Sequence, residues 1–213
     1  MAIKADDDSG VFHAIRASVA RYKDSPDNMT GRVFLPALRY LTDRGRHGWI
    51  NAVWPRSENE GLFRSLAPEQ EDEVLASMVI CPNIDHNAEQ ILKAIAAKSP
   101  EKVIDFFGKR LAHEKGLQSS RGYDEVPYEF HDLRETLQKI PEQLVAKVRE
   151  WFASDNELFA YRGGRMIAAV FPEPEEQLLK PLHELAGTGK LDDVEFVIEV
   201  LKNYQGQVVL HDL

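Results

Sequence analysis

Apolar residues along this 213-residue chain recur at spacings of three and four, and few windows alternate as a strand requires. The pattern predicts an all-α protein, with polar or proline-bearing stretches between helices. A first helix covers about 11–23, with Val11, Ile15, Val19 and Tyr22 on one face, and Ser25-Pro26 stops it. A second spans about 30–42, where Pro36 requires either a kink or a start late enough to place it in the first turn. GRHGWINAVWP, ending at Pro55, reads as a short helix or loop, and the polar stretch 56–67 reads mostly as loop.

From Pro68 onward the signals sharpen. A helix runs to about Ile80, with Glu69, Glu71, Asp72 and Glu73 near its positive end, and closes before Pro82. Asp85 is an N-cap for the helix containing ILKAIAAK. Ser99-Pro100-Glu101 combines an N-cap serine, a proline at the first position and an acid, and Gly116 ends the helix it starts. LQSSRGYDEVPYE, residues 117–129, is the longest connection, of the kind that is often functional or mobile. Helices are predicted at 130–139, 141–153, 156–170, 175–186 and 191–204; in the last, Leu191, Val194, Val197, Ile198 and Leu201 form the apolar face.

Three of these helices share a five-residue pattern of valine, any residue, acid and two large apolar residues: VIDFF from Val103, VREWF from Val148 and VIEVL from Val197. Each has an upstream companion: ILKAI from Ile91, TLQKI from Thr136 and LLKPL from Leu178. The companions lie 45 and 42 residues apart, and the second helices 45 and 49 apart. The companion leads by 12 residues in the first two copies and by 19 in the third, where AGTGKLDD is inserted. A period in the forties made of helix pairs resembles HEAT/armadillo-like α-solenoids, over about residues 84–204. The resemblance rests on period and pattern, without a diagnostic motif. It implies a right-handed solenoid of helix pairs that recognises protein on a concave or edge surface and performs no chemistry. The alternative architecture is an irregular helical bundle.

Length permits a sizeable core without metal or disulfide staples. The organisation expected is a disordered tail over 1–9 and a single all-α domain over 10–213, with basic helices at 10–66 and repeats at 68–213. The lone cysteine, Cys81, has no internal partner, which suits a reducing, cytoplasmic setting. The first ten residues lack the apolar run of a signal peptide, and no window approaches the roughly 18 apolar residues that span a bilayer. The net charge of −9 opposes a general grip on nucleic acid. That charge is uneven, +3 over residues 1–56 and −12 over the remainder. Solvated helix faces account for the gradient, and an acidic partner for one end is the sharper reading.

Candidate chemistry is sparse. His86 lies beside Asp85 and three residues before Glu89, yet no second histidine motif completes a metal set. GTGK at 187–190 lacks the earlier glycine, the following Ser or Thr and the preceding strand of a phosphate loop. YRGGR, with Gly163 and Gly164 between Arg162 and Arg165, is read as a helix break or close helix packing, with an anion contact as the alternative. No GxSxG elbow occurs, and Cys81 reads as a small buried hydrophobe. No cofactor, metal or catalytic residue is assigned.

Two stretches fit a contact with another protein. RGRHGWINAVWPR places Trp49 and Trp54 among Arg44, Arg46 and Arg56, the residue types that dominate binding hot spots, although both tryptophans would equally suit the core. The long connection adds Arg121, Tyr123 and Tyr128. The expected function is therefore a non-enzymatic protein-interaction module or scaffold, as a section of a longer helical-repeat protein. Two alternatives stand beside it. One is a free-standing immunity or antitoxin-type protein whose acidic face blocks a basic toxin. The other is an enzyme acting on nucleic acid or nucleotide.

Overall fold

A computed structural model describes residues 8–21, 30–53, 60–117, 122–154 and 157–204, which form twelve α-helices, one π-helical turn and no strand. Helix α1 (Asp8–Arg21) is followed by the π-helical turn Thr30–Phe34, which runs directly into α2 (Leu35–Thr42). Pro36 occupies the first turn of α2, so the late start is what occurs. Proline has no N–H to give back to residue 32, and the backbone opens into a wider turn just ahead of it. Helix α3 (Trp49–Val53) is short, and α4 (Glu60–Arg64) forms where the polar sequence predicts a loop. Leu62 and Phe63 explain the difference: both are buried, and Phe63 meets Phe34 edge-on at 6.2 Å.

The remaining helices are α5 (Pro68–Met78), α6 (His86–Ala96), α7 (Pro100–Gly116), α8 (Arg134–Leu137), α9 (Pro141–Phe152), α10 (Glu157–Val170), α11 (Glu176–Ala186) and α12 (Leu191–Lys202). Local chemistry sets most of their starts. Proline opens α5, α7 and α9, where a missing N–H costs nothing. The Asp85 carboxylate accepts the Ala88 N–H at 2.9 Å, as an N-cap does.

Two starts are set from a distance instead. Ser99 does not cap α7 with its side chain; its hydroxyl donates to the buried Glu71 carboxylate of α5 at 2.9 Å. Helix α8 begins at Arg134 rather than near 130, because the Glu89 carboxylate of α6 accepts the Asp132 and Leu133 N–H groups at 2.7 and 2.8 Å. Those donors are thereby satisfied outside any helix.

Packing follows a regular order. Helix α4 lies on α6, α6 on α8, α8 on α10 and α10 on α12; in the other row α2 lies on α5, α5 on α7, α7 on α9 and α9 on α11. One continuous apolar cluster links these rows from Val11 to Tyr204. The VIDFF residues Val103, Ile104, Phe106 and Phe107 are all buried in it, while Asp105 points outward to Lys147 at 3.2 Å. Helix α10 stands between the second and third copies of the pattern, so the pairs do not succeed one another at a uniform period.

A closer correspondence runs at twice that period. Helices α6 and α11 are both 11 residues long and start at residues 86 and 176. Each follows a bend opened by an X-Pro pair, Cys81-Pro82 or Phe171-Pro172. In both bends the carbonyl before the proline accepts a hydrogen bond from a residue on, or just past the end of, the helix after next: Arg110 Nη1 to Cys81 at 2.7 Å, and the Tyr204 hydroxyl to Phe171 at 2.6 Å.

The YRGGR glycines permit close packing, and α10 runs through them unbroken. A Cβ on Gly163 would stand 2.8 Å from Val148 Cγ1 of α9, and one on Gly164 would stand 2.6 Å from Asn203 Nδ2 beyond α12. Gly163→Ala is expected to destabilise the protein: overpacking against Val148 costs about 1–3 kcal/mol and outweighs the ~1 kcal/mol of helix propensity gained. A denaturant melt showing Gly163→Ala at or above wild-type stability would contradict this packing.

Candidate functional site

The stretch Gly122–Leu133 contains no helix, and buried ions hold it. The central one is Arg110 of α7, which is fully buried. Its Nη1 donates to the Cys81, Met78 and Val79 carbonyls at 2.7, 3.2 and 3.2 Å, so the guanidinium closes the carbonyl end of α5. Its Nε and Nη2 donate to the Glu125 and Asp124 carbonyls at 2.9 and 2.5 Å. Burial lowers the Arg110 pKa from its ordinary value. Five backbone acceptors arranged around a planar fork compensate the charge.

Two neighbours complete this block. The Tyr123 ring lies 4.6 Å from the Arg110 guanidinium, and its hydroxyl donates to the Val79 carbonyl at 2.5 Å. Burial pushes that phenol up to about 12. Cys81 is buried, and desolvation pushes its thiol to about 12 as well, which removes the thiolate on which reactivity depends.

The side chains of Asp124 and Glu125 turn toward α10. Arg165 Nη2 stands 2.9 Å from Asp124 Oδ1, and Arg162 Nε stands 2.6 Å from Glu125 Oε1, an ion contact without good hydrogen-bond alignment. Glu125 is 1% exposed and also faces Arg165 Nη1 at 3.8 Å. Asp124 N–H donates to the Pro82 carbonyl at 2.6 Å. With the segment fastened to α5, α7 and α10, Tyr128 is left 81% exposed, its ring 3.5 Å from the Arg165 guanidinium. An aromatic held in place on a cation while remaining open to solvent is suited to a partner contact.

The N-terminal group fares differently. Trp49 is fully buried, edge-on to Phe34 at 6.2 Å, so its expected place on a contact surface is corrected: its indole belongs to the core. Arg44 and Arg46 are exposed on the turn between α2 and α3, which Gly45 enters at φ +66°. Arg44 stacks over Tyr40 at 3.7 Å, and Arg46 pairs with Asp8 at 2.9 Å. Trp54 and Arg121 lie outside the described residues. Tyr123 and Tyr128 share one segment, whereas Arg44 and Arg46 lean on α1 and α2. Tyr123 is better described as an anchor of that segment than as its contact residue.

Other polar clusters are also committed. His86 Nδ1 lies 3.2 Å from Asp132, which Lys93 approaches at 3.6 Å, while Glu89 turns to backbone N–H groups. Asp193 takes the Thr188 hydroxyl at 2.7 Å and Arg149 at 2.7 Å; these bonds, the hydroxyl first, hold its carboxyl below the ordinary value. Among the described residues, no three His, Cys, Asp or Glu converge as metal ligands do. Sequence reasoning missed Arg110 and Glu125, and it named Arg162 and Arg165 only as the flanks of YRGGR, with an anion contact as the alternative. One signal was available: two arginines at i, i+3 in α10 answering the adjacent acids Asp124 and Glu125.

Replacing Arg110 by Met removes the donors for carbonyls at both ends of this block, and each unsatisfied buried group costs about 1–3 kcal/mol. Loss of roughly 3 kcal/mol or more is expected in a denaturant melt, with Arg110→Lys recovering only part of it, since an ammonium cannot reproduce the planar fork. Cys81 is expected to react with a thiol reagent only after unfolding; stoichiometric labelling of the native protein within minutes would refute the buried, protonated thiol. No family model, curated protein or solved structure matches the chain.

Proposed function

We propose that the chain is a protein-recognition module built as a HEAT/armadillo-like array of helix pairs, in which side-chain chemistry serves to hold surfaces in place. The alternating packing order supports this reading, as does the recurrence of the capped X-Pro bend at residues 81 and 171. In such arrays a helix pair cannot bury its own apolar flanks and relies on its neighbours. The observation that carries the proposal is Tyr128, exposed over Arg165 on a segment anchored at three helices. Anchoring removes ordering entropy that a free loop would lose on binding, and tyrosine supplies a large contact at little further cost.

The balance of −12 over residues 57–213 favours a basic protein surface as partner. It also keeps a second version in play, a free-standing antagonist that covers a basic toxin. Either version places recognition, not turnover, at the exposed residues.

Tyr128→Ala discriminates function from folding. Removing the Arg165 stack costs about 0.5–1 kcal/mol, a shift of a few degrees at most in thermal midpoint. Affinity purification from the native host, with quantitative mass spectrometry, is expected to recover a protein partner with the wild type and at least tenfold less of it with Tyr128→Ala. Recovery of no protein partner by the wild type, or undiminished recovery by the variant, would overturn the proposal.

A further inference from the structure

Helix α12 packs on α10 and α11 and buries one side, through Asp193, Phe196, Val197 and Val200. Its other side carries apolar residues that the described helices leave exposed. Leu191 is 69% and Ile198 50% exposed, and with half-buried Val194 and Leu201 they form a stripe at steps of three, four and three, the spacing of a helix-docking seam. Beside it, one position on in each case, runs an acidic row: Asp192, Glu195 and Glu199. Glu199 is answered by Lys202 at the end of the helix, while Asp192 and Glu195 are exposed.

We infer that this face of α12 docks an amphipathic helix of a different protein, one that carries lysine or arginine alongside its own apolar stripe. The inference rests on the protein-recognition reading and adds a second surface to it. Charge selects the occupant. In an antiparallel pairing with α12 of a second copy, acidic row would lie against acidic row. In a parallel pairing the acids would face an edge that holds no cation between residues 191 and 201. Head-to-tail contact between copies lacks an apolar counterpart, since Tyr128 is the one other large hydrophobic residue strongly exposed among those described. A basic helix satisfies both rows together: its apolar residues cover Leu191 and Ile198, and its cations reach Asp192 and Glu195.

The test uses the full chain and three fluorescent synthetic helical peptides of 18 residues. The first has leucine and isoleucine at heptad positions with lysine beside them. The second has glutamate in place of lysine, and the third alanine in place of the apolar residues. Anisotropy titration is expected to show the first peptide binding at least tenfold more tightly than either of the others. Ile198→Asp, and separately Leu191→Asp, should weaken it at least tenfold while circular dichroism stays unchanged. These substitutions add negative charge, so a merely electrostatic attraction would strengthen instead of weakening. Equal binding of the three peptides, or undiminished binding by both variants, would overturn the inference.

Two other occupants would announce themselves. A dimer seen by light scattering and abolished by Ile198→Asp would assign the face to a second copy. Tighter peptide binding by Leu210→Asp would assign it to residues 205–213. Either result overturns the inference. A native partner that is lost with Tyr128→Ala but retained by Ile198→Asp and Leu191→Asp would overturn it too, and would leave the recognition reading standing.

Discussion

The Arg110 guanidinium is buried at the carbonyl end of α5, and its need for acceptors organises the middle of the molecule. Removing an ion from water costs several kcal/mol, and hydrogen bonds to a charged group return about 1.5–3 kcal/mol each. A buried guanidinium is therefore tolerable only if nearly every donor is used. Arg110 achieves this with backbone carbonyls alone, three at the end of α5 and two in the segment after α7. That choice leaves the Asp124 and Glu125 carboxylates free to turn toward Arg165 and Arg162 of α10. The constraint thus passes from α5 through α7 to α10, across residues far apart in sequence.

The same device recurs with other charges. Glu89 holds the approach to α8, and Glu71 joins Ser99, Lys98 and Lys102 between α5 and α7. Asp193 ties α12 to Arg149 of α9, and the Tyr204 hydroxyl closes the bend at Phe171. Buried polar groups in this protein stitch helix ends to loops, which is specificity work, since each bond exists in one arrangement only. Few large apolar side chains remain exposed among the described residues. Tyr128 is fixed over a cation, and the outer face of α12 pairs an apolar stripe with an acidic row.

Much of the helical layout was legible along the chain. Wherever the governing interaction lies within a turn of the residue that signals it, the expectation and the structure agree: Pro68 and Pro100 open helices, Asp85 caps α6, and Gly116 ends α7. Wherever a residue had two uses, local sequence did not choose between them. Ser99 is an N-cap by type, yet its hydroxyl goes to Glu71, and Trp49 has the composition of a hot spot, yet lies against Phe34 in the core. Helix α4 and the shortened α8 were misread because Phe34 and Glu89, the residues that decide them, are remote. Among the candidate contact residues, Tyr123 and Tyr128 look alike by type until one hydroxyl is seen on Val79 and the other ring in solvent.

The sequence by itself determined that the described residues form an all-α fold, roughly where most helices start and stop, and which faces are apolar, because periodicity and capping act over four or five residues. Tertiary structure alone decided which apolar faces are covered, which charges are spent inside and which aromatic stays outside. Those outcomes depend on burial and on partners contributed by distant helices, and a residue type carries no record of its neighbours. The stripe on α12 marks that boundary: its spacing is written in the sequence, and its exposure is known only once the other helices have taken their places.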